Sequence, residues 1–163
     1  MEKITVLGSS NAVAKSDQQN AHLLIETDAR KLMVDCGDNA TASLARAGTG
    51  INQITDLVLT HFHADHVGSL PLLIMDMWLE KRSAPLKIYG LAVTLEKARK
   101  LLELFDWQNW LGMFQVDFQS VGESGDENVI NVEDLKLSAL LVLHLIPTIG
   151  LRFEFPSGKV VAY

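Results

Sequence analysis

Residues 60–68 read Thr-His-Phe-His-Ala-Asp-His-Val-Gly and hold the most informative pattern in the chain. They continue a compact apolar run, Asp56 to Thr60 (DLVLT), which predicts a buried strand. Side chains two positions apart on an extended chain point to the same side, so His61 and His63 can both reach one metal ion. On a helix the same two side chains would diverge by about 200°. The spacing therefore predicts a site just past the end of a strand.

Asp65 and His66 follow where the chain turns, and they can face a second ion beside the first. Imidazole and carboxylate groups suit zinc, at about 2.0–2.2 Å. Manganese and iron are the alternatives, because ligand type alone does not select the metal. The competing interpretation is a histidine-rich loop without metal, or a structural site. Closed structural zinc sites usually contain cysteine thiolates, and Cys36, the single cysteine, lies elsewhere.

The flanking segments predict a mixed α/β protein in which helices interleave with strands. Predicted strands cover residues 4–7, 22–26, 31–34, 56–60, 87–89, 129–132, 135–143, 151–155 and 159–163. One helix is predicted over 40–47, a second begins near Ser69, and a third is capped by Thr94 and ends near Phe105. Residues 122–128 are predicted to form a polar turn.

The composition suits one domain and narrows the functional classes. A formal charge of −6 over 163 residues argues against binding duplex DNA or anionic membranes through net charge. The single cysteine excludes an internal disulfide and is compatible with a reducing compartment. The first residues lack the apolar stretch of a secretory signal, and no apolar run approaches membrane-spanning length. These features predict a cytoplasmic protein with no membrane partner.

Several stretches together resemble one superfamily. Residues 60–68 resemble the signature of metallo-β-lactamase-fold hydrolases, and Gly-Ser-Leu-Pro-Leu-Leu at 68–73 is similar to the ribonuclease Z and arylsulfatase-like phosphodiesterase branch. Three further stretches agree with that branch: residues 6–10 with Gln19-Asn20, residues 33–37, and His144 followed by Gly150 and residues 151–154. The resemblance extends over essentially the whole chain, and it is more specific for the superfamily than for the substrate.

The resemblance implies two divalent metal ions, with zinc preferred. His61, His63 and His144 would bind one ion, and Asp65 with His66 would bind the other. Without the resemblance, His144 is more simply a core residue in a strand-like apolar run.

Three further residues receive expected roles. Asp35 would orient the metal loop from outside the ligand shell by accepting hydrogen bonds. His22 matches no motif and is expected to be structural or exposed. Cys36 is expected to be a small buried residue rather than a nucleophile.

The reaction implied by the resemblance is hydrolysis of a phosphodiester. Two ions about 3.5–4 Å apart would lower the pKa of a bridging water toward 7, and the resulting hydroxide would attack phosphorus. Asp65 would bind a metal and orient the nucleophile, which makes it the expected catalytic residue. The leading hypothesis is a dinuclear zinc phosphodiesterase of ribonuclease Z type. The alternatives are another hydrolase of this fold, acting on an aryl sulfate, lactone or thioester, and an inactive metal-binding fragment.

Two departures from the family pattern shape the expected fold and substrate. A bridging aspartate and a last histidine would both lie beyond Tyr163. We therefore expect residues 1–163 to be one αββα-sandwich domain, incomplete at its C-terminus, with the N-terminal half and a few further strands. Exposed apolar surface would then favour self-association as a homodimer. The tRNA-processing members carry a long arm where Gly150 to Tyr163 leave room only for a hairpin. A small phosphodiester or other small ester is favoured over RNA as the substrate.

Overall fold

The computed structural model describes residues 2–13, 15–122 and 127–163. Within them a six-stranded sheet has the spatial order β1 to β6 and a four-stranded sheet has the order β10-β9-β8-β7. The first sheet contains β1 (Lys3–Gly8), β2 (His22–Glu26), β3 (Lys31–Val34), β4 (Asp56–Val58), β5 (Leu86–Leu91) and β6 (Val116–Val121). The second contains β7 (Glu127–Val132), β8 (Leu135–Val142), β9 (Thr148–Glu154) and β10 (Val160–Ala162). The helices are α1 (Ala40–Arg46), α2 (Ala64–Val67), α3 (Leu70–Leu79) and α4 (Ala92–Glu103), with short 3₁₀ turns at Ile51–Gln53 and Trp107–Asn109.

The connections determine the strand directions. A tight turn, in which the Thr27 amide donates to the Arg30 carbonyl over 2.9 Å, makes β2 and β3 antiparallel. Helical crossovers make β3, β4, β5 and β6 parallel to one another. The carboxyl ends of these parallel strands meet at one edge of the sheet, and the chain segment after β4 begins at that edge.

Two apolar cores lie on opposite faces of the six-stranded sheet. The first is formed with α1, α3 and α4, and its fully buried members include Leu44, Leu57 and Ile74. The second lies between the two sheets and includes Ile25, Leu137 and Phe153. The described residues thus form a helical layer and two sheet layers, as in the metallo-β-lactamase sandwich that the sequence predicts. None of the helices in the described ranges is long and apolar enough to span a membrane.

Most predicted elements are confirmed, but β6 and α2 were not predicted and two predicted positions are corrected. Strand β4 ends at Val58 rather than Thr60, although Leu59 and Thr60 remain buried as the chain leaves the sheet. Thr94 does not cap α4, because the helix starts at Ala92 directly after β5 and Thr94 lies buried inside it. Residues 123–126 of the predicted polar turn lie outside the described residues, and β7 begins at Glu127.

Candidate metal centre

The metal loop, residues 60–66, is anchored by a buried carboxylate at the end of β3. Asp35 has a left-handed backbone conformation (φ 59°), and its amide donates to the Val58 carbonyl over 2.8 Å. Its fully buried carboxylate accepts hydrogen bonds from the Thr60 amide at 2.8 Å and from the Thr60 hydroxyl at 2.8 Å. The first residue of the metal loop is therefore held by two donors to one carboxylate.

The same hydroxyl fixes the protonation pattern of His61. Because the Thr60 hydroxyl donates its proton to Asp35, it can only accept from Nδ1–H of His61, which lies 2.9 Å away. Nε2 of His61 is then left with a free lone pair. Burial lowers the pKa of His61 to about 4, and nearby His66, His144 and His63 act in the same direction. The ring is therefore neutral at pH 7, the form in which imidazole binds a metal.

Three imidazole nitrogens converge in front of the metal loop. Nε2 of His61 lies 3.1 Å from Nδ1 of His63, and Nε2 of His144 lies 3.3 Å from the same Nδ1. All three ligand atoms lie within 4.8 Å of one another. A tetrahedral zinc with Zn–N bonds of about 2.0–2.1 Å separates its nitrogen ligands by roughly 3.3–3.4 Å. The spacing and chemistry of this histidine trio therefore fit one divalent ion.

His144 reaches the trio from the other sheet. It lies in the connection between β8 and β9, and its ring centroid is 4.7 Å from that of His61. The Ile149 amide at the start of β9 donates to the Thr60 carbonyl over 3.1 Å. This bond ties the four-stranded sheet to the metal loop and brings together histidines 81 residues apart.

Asp65 and His66 form a second donor pair beside the trio. Nδ1–H of His66 donates to Asp35 over 2.7 Å, which leaves Nε2 of His66 free. That Nε2 lies 3.5 Å from a carboxylate oxygen of Asp65, and the His66 ring centroid is 4.0 Å from that of His61. Burial lowers the pKa of His66, but the Asp35 and Asp65 carboxylates together raise it by more, so that the pKa lies above its ordinary value. Burial raises the pKa of Asp35 itself, partly offset by the bonds from His66 and Thr60.

Close backbone packing holds the segment that carries Asp35 against α2. The Cys36 amide donates to the His66 carbonyl over 2.7 Å, and the Ser69 amide donates to the Cys36 carbonyl over 2.9 Å. A Cβ atom on Gly37 would lie 1.7 Å from the Asp65 carbonyl oxygen. Only glycine can occupy this position without moving the helix that carries the second donor pair.

A cavity of about 370 Å³ opens beside the histidines. It is lined by Thr60, His61, His66, Tyr163 and the connection that carries His144. Burial raises the pKa of Tyr163, and the charge of the Asp35 carboxylate and a hydrogen bond to it act in the same direction, so the phenol is neutral at pH 7. Three of the candidate ligands, His61, His66 and His144, therefore border this cavity.

Sequence reasoning did not assign Thr60 or Gly37 a role, although both lie inside the quoted motifs. The position of Thr60 directly before His61 was the available signal. His22 is fully buried, with Nδ1 2.7 Å from the Asn20 carbonyl oxygen. Cys36 is also fully buried, which raises its pKa well above the ordinary value and leaves it a neutral thiol.

The family follows from comparison with known proteins. Residues 2–154 match the family described as anti-Pycsar protein Apyc1. The chain belongs to this family. Two relatives illustrate the relationship. Ribonuclease Z of Methanosarcina acetivorans is 31% identical over 151 residues, covering 92% of this chain and 47% of that protein. Anti-Pycsar protein Apyc1 of Saccharibacillus brassicae is 30% identical over 155 residues, covering 89% of this chain and 57% of that protein.

Solved structures place this family member in the metallo-β-lactamase fold. The short form of human tRNase Z superposes with a TM-score of 0.82 at 20% identity, covering 99% of this chain and 67% of that one. YhfI of Bacillus subtilis, a metallo-β-lactamase fold protein, superposes with a TM-score of 0.79 at 19% identity, covering 99% and 61%. The chain thus spans about half the length of the ribonuclease Z relative and under two thirds of the Apyc1 relative.

Proposed function

We propose that this protein is a metal-dependent hydrolase that cleaves phosphodiesters. The observation that carries the proposal is the histidine trio, whose nitrogens lie 3.1 and 3.3 Å apart at the mouth of a cavity. The names of the relatives support the reaction class, since ribonuclease Z and tRNase Z are nucleases by name. Because the chain spans about half of the ribonuclease Z relative, its activity is a proposal to be tested.

Two ions would be held by different residues. His61, His63 and His144 would hold the first, and Asp65 with His66 would hold the second. Zinc is our preferred metal, with manganese or iron as alternatives, because imidazole and carboxylate ligands accept all three. When bound, such ions polarise phosphoryl oxygens and activate water as a nucleophile.

The chain's own groups would prepare this chemistry by controlling protons and orientation. Asp35 holds the Nδ1 protons in place: directly on His66, and through the Thr60 hydroxyl on His61. Nε2 is thereby the ring nitrogen that each of these two histidines presents to a metal ion. Asp65, whose side chain is 20% exposed, can accept a hydrogen bond from the attacking water and orient it. We therefore assign Asp65 as the catalytic residue of the site.

A small phosphodiester fits the structure better than folded tRNA. Strands β9 and β10 are joined by a tight turn in which the Phe155 amide donates to the Lys159 carbonyl over 3.0 Å, so no arm extends there. Residues 139–151, which include His144, contain no lysine or arginine to contact a polyanion. We propose a substrate with a single reacting diester and little further negative charge.

Hydrolysis of chromogenic esters by the purified chain tests the proposal. Bis-(p-nitrophenyl) phosphate, p-nitrophenyl sulfate and an aryl lactone would be compared with zinc or manganese supplied, and D65N would be the matched variant. Diester cleavage that D65N abolishes is expected. A preference for the sulfate or lactone would instead identify another hydrolase of this fold. Metal binding without any turnover would identify an inactive metal-binding chain.

Three secondary expectations accompany the proposal. Residues 1–163 are proposed to form one domain, because strands of the six-stranded sheet contribute to both cores. A homodimer is proposed because large apolar side chains such as Leu143 and Leu145 are 103% and 88% exposed. Light scattering during size-exclusion chromatography would measure the molar mass and so distinguish a dimer from a monomer. A cytoplasmic location is proposed, and fractionation of the source cells would test it.

A further inference from the structure

His22, the first residue of β2, is a buried imidazole that the proposed reaction does not use. Its side chain is 0% exposed, and burial lowers its pKa, so the ring is neutral. Nδ1 lies 2.7 Å from the Asn20 carbonyl oxygen and therefore carries the proton that it donates. Nε2 has no hydrogen-bond partner among the residues that the structure describes. Burying a polar ring with one unpaired nitrogen is unfavourable. The bond from Nδ1 to the Asn20 carbonyl is the feature of this ring that reaches towards the metal loop.

The backbone of Asn20 connects His22 to the segment under the metal loop. Its carbonyl accepts from His22, while its amide donates to the Asp38 carboxylate over 2.5 Å. A Cβ atom on Gly8 would lie 2.0 Å from the same carbonyl, so β1 passes directly against it. A shift of Asn20 in either direction would therefore break a hydrogen bond or collide with β1.

Asp38 ends the short segment that supports α2. Within this segment the Cys36 amide is bonded to the His66 carbonyl, and Gly37 is in backbone contact with Asp65. A Cβ atom on Gly37 would lie 3.1 Å from Cβ of Asn20, so Asn20 also touches the segment directly. Movement of Asn20 would be transmitted to both members of the second donor pair.

We propose that His22 is a positioning residue for the metal centre, and this inference rests on the proposed metal site. Its Nδ1–H holds the Asn20 carbonyl, and Asn20 holds Asp38. The segment ending at Asp38 then keeps Asp65 and His66 at the spacing that a metal ion requires. The ring contributes one directed donor from a dry position, where water cannot replace it.

Metal affinity measured with three proteins tests the proposal. Wild type, H22N and H22L would be titrated with zinc against a chromogenic chelator, and with cobalt while the visible spectrum is followed. Asparagine places an amide N–H near the position of Nδ1, whereas leucine fills the space without a donor. We expect H22L to bind about tenfold more weakly, the lower end of the effect of removing an outer hydrogen-bond partner. H22N should remain within about twofold of wild type, because it keeps the donor.

Separate controls distinguish positioning from simple stabilisation. T27V removes another largely buried hydrogen bond, to Asp134, from the other end of β2. It should lower the unfolding temperature of the metal-free protein and leave zinc affinity unchanged. If H22L behaves like T27V, the positioning role is refuted. D38A removes the half-buried carboxylate that accepts from the Asn20 amide, and it should weaken zinc binding. This variant tests the proposal even if H22L fails to fold. Unchanged zinc affinity in D38A would also refute the inference. Wild-type protein that binds no zinc would overturn the metal site itself, and this inference with it.

Discussion

Replacing Asp35 with asparagine should uncouple the metal centre from the fold that supports it. The carboxylate accepts from the Thr60 amide, the Thr60 hydroxyl and Nδ1–H of His66. Asparagine keeps one acceptor oxygen but places an NH₂ group where the other oxygen faced two donors. His66 must then move its proton to Nε2, the atom that lies 3.5 Å from Asp65. The second ion should bind about 10–100-fold more weakly, or roughly 1.4–2.7 kcal/mol.

A second buried carboxylate supplies the matched control. Asp56 lies at the start of β4, is 1% exposed, and forms an ion pair of 2.8 Å with Arg30. D56N should lower the free energy of unfolding of the metal-free protein while leaving metal affinity unchanged. D35N should instead weaken metal binding without lowering the free energy of unfolding of the metal-free protein, because it removes a charge whose burial is unfavourable. Zinc stoichiometry and competition titration measure the affinities, and urea unfolding measures stability. A D35N protein that binds two ions as tightly as wild type would refute this reasoning.

Three further predictions address the loop, its packing and its proton balance. G37A should disrupt metal binding, because the new Cβ would lie 1.7 Å from a carbonyl oxygen of α2. G50A should leave metal binding unchanged, since only a flexible side chain lies near that position. Zinc titration of the two variants tests this difference. T60V removes the hydroxyl that accepts from Nδ1–H of His61, so the proton can move to Nε2. Zinc binding should weaken about tenfold, and NMR of the ring nitrogens should show Nε2 protonated. Burial lowers the pKa of His22, so unfolded chains bind more protons below about pH 6.5. Metal-free wild type should therefore lose stability relative to H22N as pH falls from 7 to 5, by at most about 1.4 kcal/mol per unit; a constant difference in urea unfolding would contradict this.

Local pattern was enough to predict most of the fold. The apolar run before His61, the turn between β2 and β3, and the alternation in β7 and β8 each reflect contacts between near neighbours in the chain. The prediction was wrong at Thr94, because a threonine before an apolar stripe is typical of a cap. Because the chain passes directly from β5 into α4, the helix has already begun at Ala92 and Thr94 lies within its first turn. Only the backbone path of the folded chain shows this.

Local sequence was also enough to predict some of the candidate ligands but not all of them. His61, His63, Asp65 and His66 could be named together because four of six consecutive residues carry side chains that bind metals. His144 needed a resemblance to a known family, since an isolated histidine in an apolar run has no local signal. Its contact with His63 depends on the β8–β9 pairing and on the bond from Ile149 to Thr60.

The amino-acid sequence by itself determined the order of the elements and the chemistry of the metal loop, because both depend on side chains a few residues apart. Only the tertiary structure decided which protons the imidazoles carry. That choice depends on Asp35, which reaches Thr60 and His66 across 25 and 31 residues through the parallel pairing of β3 with β4. The same holds for His22, whose effect on α2 passes through bonds between segments that meet only after the sheet has formed. Hydrogen-bond direction is a property of atoms in space, and residue spacing along the chain does not encode it.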